Sequence, residues 1–217
     1  MPVPFTSRRR ADRNKIFKVK YELMKKLLVL LLILISVSIN AQRFQGGLMG
    51  GFNVSQIDGD NWAGYNKAGL VGGAYVFTDF TERWGAQLEI RYTSKGSATP
   101  KSYYPKIKFR LQYIEIPLLA KFEVINNLDL QAGASFGYLF SAARNDGDGY
   151  VKFEEVPNRM EIAICTGLNY SFFERFDVNL RYSYSVFPVF SKYTGATYGT
   201  GAWYNNVITF GIYFRIG

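Results

Sequence analysis

Apolar and polar residues alternate almost without error along residues 176–186. Phe176, Val178, Leu180, Tyr182, Tyr184 and Val186 fall on one parity, and Asp177, Asn179, Arg181, Ser183 and Ser185 fall on the other. A period of two places the two sets on opposite faces of a β-strand. Residues 207–216 alternate in the same way, and their polar face again carries a charge, Arg215. Two long strands with aromatic-rich apolar faces and charged opposite faces indicate a transmembrane β-barrel.

The same pattern predicts eight strands in all. They cover residues 46–55, 67–77, 84–95, 109–124, 128–140, 160–172, 176–186 and 207–216. Pro117 interrupts the fourth strand, and because proline lacks the ladder N–H we expect a bulge there. The predicted fold class is therefore all-β: an eight-stranded, antiparallel, up-and-down transmembrane barrel.

The connections between these strands alternate in length. Those near residues 78–82, 125–127 and 174 are short, whereas those at 56–66, 96–106, 141–158 and 190–204 are long and rich in Gly, Asp, Asn, Ser, Thr and Tyr. Outer-membrane barrels have short periplasmic turns and longer outer loops. The chain is thus expected in the outer membrane of a Gram-negative cell, with both termini periplasmic.

The N-terminal block has the pattern of a secretory signal. Lys25 and Lys26 precede an apolar run over residues 27–35, and small or polar residues lead to Ala41. The run is shorter than the roughly 20 residues of a membrane-spanning helix, which favours a cleaved signal. We expect residues 1–23 to be an upstream extension or a long n-region, residues 24–41 a signal peptide, and residues 42–217 one barrel domain.

Net charge changes the picture little. The chain has 26 Lys and Arg against 17 Asp and Glu, but nine of the basic and two of the acidic residues precede residue 42. The remaining net charge of +2 gives no support to nucleic-acid binding.

The sequence also resembles a known family, on the stretches GGLMGGFNVS (46–55), LEIRYTSKG (88–96) and above all YIEIPLLAKFEV (113–124). These are similar to the small outer-membrane β-barrel domain of Bacteroidetes, whose members include the PorT-like proteins. The resemblance covers nearly all of residues 42–217. It implies the same barrel fold and an accessory role in a protein secretion or gliding apparatus.

An eight-stranded barrel has an interior that side chains fill. The predicted inward charges, which we treat as a lumen charge network, are Glu89, Arg91, Glu115, Lys121, Asp177, Arg181 and Arg215. They could form a proton or ion path, or mutually neutralising pairs that stabilise a closed lumen. The second interpretation is favoured, because buried charges persist when they are paired and hydrogen-bonded.

Candidate chemistry is sparse. The chain has no histidine, which excludes mechanisms that need a histidine base, and Cys165, the single cysteine, is expected to face the lumen as an inert thiol. The run at 145–149 could offer oxygen ligands to Ca²⁺, but a polar turn is preferred. Six aromatic residues in or beside the outer loops suggest a partner-binding surface or, nearest the strands, the interfacial girdle: Tyr103, Tyr104, Tyr193, Tyr198, Trp203 and Tyr204.

The leading hypothesis is a non-enzymatic, monomeric outer-membrane barrel without cofactor or metal. It would contact outer-membrane lipid and bind another envelope component through its loops or turns. The PorT-like accessory role is the alternative, and a narrow channel is a third class.

Overall fold

The computed structural model describes Lys25 and residues 44–152, 158–190 and 201–216. These described ranges contain nine strands in chain order: β1 (Gln45–Asp58), β2 (Lys67–Asp79), β3 (Trp84–Lys95), β4 (Lys108–Ile125), β5 (Leu128–Asn145), β6 (Tyr150–Lys152), β7 (Met160–Phe173), β8 (Phe176–Ser185) and β9 (Tyr204–Ile216). Each neighbouring pair is antiparallel, and β9 pairs with β1, so eight strands close into a barrel. The predicted fold class is confirmed.

The remaining strand, β6, has three residues. It pairs with the last residues of β5 and takes no part in closing the barrel. It belongs to the end of the barrel that carries the long connections, which we call the long-loop end. The opposite, short-turn end carries the connections at 80–83, 126–127 and 174–175. At one of these tight turns Asn127 has φ 69°, a left-handed conformation that asparagine tolerates.

Side chains alternate between the two faces of the barrel wall, as the sequence predicted. On β8, Leu180 is exposed on the outer face, whereas Asn179 and Arg181 beside it are buried. Apolar residues exposed on the outer wall recur on every barrel strand, for example Leu48, Leu70, Ile90, Leu118, Phe136, Ile164 and Ile212. Such a wall is stable only in contact with lipid.

Pro117 does not form the expected bulge. It pairs in register with Ser135 of β5, and the β3–β4 register is the same on both sides of it, with Leu88 opposite Leu118 and Arg91 opposite Glu115. The missing proline N–H interrupts the ladder locally without shifting it. The β4–β5 register shifts instead at two other places: between Gln112 and Tyr113, where β5 carries one extra residue, Phe140, and between Glu123 and Ile125.

Among the described residues, no helix has the length and the apolar character needed to cross a membrane.

Candidate functional site

The centre of the lumen is an ion pair between opposite sides of the barrel. Arg181 of β8 directs Nη1 and Nη2 at the two carboxylate oxygens of Glu89 on β3, each at 2.8 Å. Both side chains are completely buried. Tyr213 donates its hydroxyl to Glu89 Oε1 at 2.9 Å, and Gln131 Oε1 accepts from Arg181 at 3.1 Å. The two-point geometry and the neutral partners satisfy charges that would otherwise be very costly to bury.

The pair continues into a chain of charges that alternate in sign. Arg91 lies 3.6 Å from Glu89 and 2.9 Å from Glu115 Oε2. Lys95 Nζ then bridges Glu115 at 2.6 Å and Glu161 at 2.8 Å. All these side chains are at most 4% exposed. The sequence Arg181, Glu89, Arg91, Glu115, Lys95, Glu161, here called the central network, holds three positive and three negative charges and is neutral as a whole.

Polar side chains around the central network donate further hydrogen bonds to its carboxylates. Thr93 donates to Glu115 at 3.0 Å, Gln87 to Glu89 at 2.6 Å and Ser185 to Glu161 at 2.6 Å. Asn205 donates to Glu161 at 3.2 Å and to the Tyr113 hydroxyl at 3.4 Å. These bonds fix the carboxylates in one arrangement, which an aqueous channel would not require.

Glycines on the inner face make room for the two arginines. A Cβ on Gly73 would lie 2.1 Å from the Ile90 carbonyl oxygen and 2.9 Å from Arg91 Cβ, and a Cβ on Gly167 would lie 2.5 Å from the Leu180 carbonyl oxygen and 3.3 Å from Arg181 Cβ. Only glycine fits such close approaches between neighbouring strands.

Two further ion pairs lie at the short-turn mouth. Lys121 contacts Asp129 at 3.1 Å, and Arg215 contacts Asp177 at 3.3 Å. Both cations also lie over the ring of Phe77, at 4.7 and 5.1 Å from its centroid. A polar vestibule of about 190 Å³ opens beside them, which is room for about six water molecules.

Apolar side chains close the long-loop end. Their cluster comprises Ile57, Trp62, Ile107, Phe109, Leu111, Tyr113, Leu139, Val189, Phe190 and Trp203, all buried, and is called the apolar cap. Aromatic rings form its middle: Phe109 stacks on Trp62 at 5.6 Å and meets Trp203 edge-on at 5.4 Å. Lys95 Nζ lies 4.5 Å from the centroid of the Tyr113 ring, so the cap rests directly on the central network.

The structure therefore divides the seven predicted charges into two groups. Glu89, Arg91, Glu115 and Arg181 belong to the central network, whereas Lys121, Asp177 and Arg215 form the mouth pairs. Sequence reasoning left out Lys95 and Glu161 as network members. Both continued the polar parity of their strands, which was the signal that could have found them.

Other candidate residues have simpler surroundings. Cys165 is fully buried in the lumen, where its thiol lies 3.6 Å from the Ser183 hydroxyl. Residues 145–149 form a turn in which Asn145 Oδ1 accepts from the backbone N–H of Gly147 at 2.8 Å. Gly147 and Gly149 there have φ of 127° and 115°.

The long-loop aromatics do not behave alike. The expectation that Trp203 belongs to an exposed surface or girdle is wrong, because it is fully buried in the apolar cap. Tyr103 and Tyr104 are exposed and Tyr204 is half-buried, while Tyr193 and Tyr198 lie outside the described residues.

Asp60, in the loop between β1 and β2, is buried beside the apolar cap residue Trp62, whose backbone N–H donates to its Oδ1 at 2.8 Å. Burial raises the pKa of its carboxyl from 3.8 to about 6. The desolvation of the charged form outweighs the hydrogen bond.

An antiparallel barrel with an apolar outer wall and a polar, filled interior is the architecture of small outer-membrane proteins. The family model for the outer membrane protein beta-barrel domain matches residues 38–191. The chain belongs to this family, which places it in the outer membrane of a Gram-negative envelope.

Two solved structures are similar to this chain. The crystal structure of neisserial surface protein A has 13% identity, covers 82% of this chain and 100% of that chain, and gives a TM-score of 0.54. The crystal structure of Ail, the attachment invasion locus protein of Yersinia pestis, has 15% identity, covers 79% and 98%, and gives a TM-score of 0.48. No curated protein matches the chain. At 13% identity the likeness to neisserial surface protein A concerns the fold alone.

Proposed function

We propose that this chain is a non-enzymatic, non-conducting barrel whose filled lumen supports the long loops as a surface for contact with another component of the envelope. The observation that carries the proposal is the neutral central network beneath the apolar cap. A pore would need a continuous aqueous path. Here every charge of the central network is paired, and ten buried apolar and aromatic side chains lie above it.

Conductance in planar bilayers tests the closed lumen. We expect the purified, refolded chain to leave bilayers silent under conditions in which an outer-membrane porin gives clear steps. The control variant carries Glu89→Ala and Arg181→Ala, which remove two large buried side chains without a change in net charge. It tests whether the assay would detect conductance through a lumen that is less well filled. Steps from the unmodified chain would refute the closed lumen and favour the channel.

The long-loop end is proposed to face the outside, with both termini in the periplasm. The alternation of long and short connections supports this orientation. Because the single native cysteine is buried, a cysteine placed at Asp148 in a long loop or at Glu82 in a short turn would be the sole target of a membrane-impermeant maleimide. Labelling of intact cells at 148 but not at 82 is expected, and the reverse would overturn the orientation.

The absence of catalysis is part of the proposal. The chain has no histidine, and its one thiol packs against a serine inside the lumen. The test is an assay of cofactor-independent hydrolysis in outer-membrane preparations with and without the protein. Activity that appears only when the protein is present would contradict this part of the proposal.

The boundaries 1–23, 24–41 and 42–217 are likewise proposed, with the mature protein beginning at Gln42. Lys25, Lys26, the apolar run and Ala41 support them. N-terminal sequencing of the protein from isolated envelopes should find Gln42 first. A sequence that begins before Met24 would reject both the signal and the upstream extension.

A PorT-like accessory role in secretion or gliding is the alternative, supported by the resemblance of residues 113–124 and the two shorter stretches. Both functions use the same monomeric barrel and differ in the protein bound. Purification of the native protein under mild detergent decides between them, since a defined secretion complex would select the accessory role.

A further inference from the structure

Three cations share one face of the outer wall at the long-loop end. Arg110 of β4 pairs with Ala143 of β5, which pairs with Lys152 of β6. One row further out, Lys108 pairs with Asn145, and Asn145 with Tyr150. Residues directly opposite each other in a ladder project from the same face, as do residues two apart on one strand. Lys108, Arg110 and Lys152, the rim cluster, therefore project together.

Among the described residues, no acidic side chain pairs with the rim cluster. Arg110 lies over the Tyr150 ring at 3.8 Å, a contact that orients a guanidinium without neutralising it. Within residues 44–152, 158–190 and 201–216, no carboxylate forms an ion pair with any of the three. The nearby Asp146 is paired with Arg144, which lies on the opposite parity of β5.

The height of the rim cluster on the wall matches the polar edge of the membrane. Arg110 lies on the same face of β4 as the lipid-facing residues Ile114 and Leu118, and nearer to the long-loop end. Phe122 packs on Trp84 at 4.8 Å between ring centroids and marks the other edge of the apolar band. Twelve residues separate Phe122 from Arg110, about 40 Å of strand. At a tilt of about 40° this is about 30 Å along the membrane normal, a few ångströms beyond an apolar band of about 25 Å.

We propose that the rim cluster binds the phosphate groups of the phosphorylated glycolipid in the outer leaflet. Cations at headgroup depth on the lipid-facing wall meet anionic headgroups rather than bulk solvent, and Arg and Lys are the side chains that hold phosphate. The inference rests on the proposed orientation, which puts the long-loop end in the outer leaflet.

Lipid binding in detergent tests the rim cluster independently of orientation. The probe is lipid A with both phosphates, compared with the same lipid after dephosphorylation, and binding is followed by native mass spectrometry. The variant is Arg110→Gln with Lys152→Gln. The matched control is Arg83→Gln with Arg175→Gln, two exposed arginines of the short turns. Because a basic residue near an anionic lipid contributes a factor of about five, the variant should bind about 30-fold more weakly.

The control should bind like the unmodified chain, and the dephosphorylated lipid should bind weakly to every form. If the double variant fails to fold, the single charge reversal Lys152→Glu should still weaken binding. Equal binding by variant and control, or equal binding of the two lipids, overturns the rim cluster as a phosphate site. Maleimide labelling at position 82 in intact cells, with binding in detergent intact, would instead overturn the outer-leaflet assignment together with the proposed orientation.

Discussion

Replacement of Arg181 by methionine should destabilise the folded barrel strongly. Methionine has a similar length but no charge, so the substitution keeps most of the packing and removes two hydrogen bonds to Glu89 and those to Gln131 and Tyr213. The central network then holds three negative and two positive charges in a dry interior. Removal of one partner of a buried pair typically costs about 3 to 5 kcal/mol, and we expect a loss in this range.

The double substitution Arg181→Met with Glu89→Leu should recover most of that loss. It removes one charge of each sign, so that Arg91, Glu115, Lys95 and Glu161 remain as a balanced chain of two cations and two anions. Replacing a buried pair with apolar side chains of similar volume is often nearly neutral. The double variant should therefore be more stable than either single variant, with a coupling free energy of about 3 kcal/mol.

The free energy of unfolding is measured by urea titration in phospholipid vesicles, with the shift of the folded band in gel electrophoresis as a second readout. Arg175→Met, at an exposed turn arginine, is the control and should change stability little. A water-filled lumen would solvate the unpaired Glu89, and the loss would fall to about 0 to 1 kcal/mol, as for an exposed pair. A loss of that size, together with no recovery in the double variant, would refute the closed, dry lumen.

Three further substitutions test other parts of the structure. Leu180→Arg puts a charge on the lipid-facing wall and should cost about 2 to 4 kcal/mol in the same titration, whereas Leu180→Met should be nearly neutral; equal stability would mean that the faces are misassigned. Gly73→Ala should cost about 1 to 3 kcal/mol because its Cβ would meet a backbone oxygen at 2.1 Å, while Gly72→Ala, whose Cβ would meet only Met49 O at 3.7 Å, should be tolerated. The folded protein holds the Asp60 proton more tightly than the unfolded chain, with a pKa of about 6 against 3.8. The contribution of Asp60 to the free energy of unfolding should therefore fall as pH rises from about 4 to 6, by at most about 3 kcal/mol. Asp60→Asn should flatten this dependence, and an unchanged pH profile would contradict the burial of the carboxyl.

The strands could be predicted because alternation is a local property. A polar side chain on the wrong parity would face lipid, and an apolar one would face the polar lumen. The sequence of each strand therefore indicates by itself which of its faces is the outer one. The predicted end of the fifth strand, residue 140, fell short of Asn145 for the same reason. Phe140 is the extra residue of a bulge, and the parity changes beyond it, so the pattern that defined the strand stopped there.

The partners of those lumen charges that meet across non-adjacent strands could not be predicted. Glu89 and Arg181 are 92 residues apart and lie on strands that are not neighbours, so their contact depends on the stagger of all eight strands. The contact between Arg91 and Glu115 is different, because adjacent strands set it directly. The pattern thus indicates which charges point inward, and barrel geometry decides which of them meet.

The burial of Trp203 was missed because loop composition does not indicate how a loop packs. Phe109 lies at the start of β4, whereas Val189 and Phe190 lie with Trp203 in the connection between β8 and β9. Each of them alone resembles an exposed apolar residue. They become a cluster only when the long connections converge over the lumen, where their rings bury one another. The same convergence buries Asp60.

The two ends of the lumen differ in hydration. This difference determines how much stability the barrel loses when an ion pair loses one partner. The apolar cap leaves the central network without access to water, so each of its pairs acts at the low effective dielectric of a protein interior and depends on its partner. At the other end the vestibule reaches the mouth pairs, and the Arg215 side chain of one of them is 25% exposed. Water there replaces a lost partner at little cost. The charges for which the loss of a single partner costs most are therefore those nearest the long loops, which the proposed function uses as a contact surface.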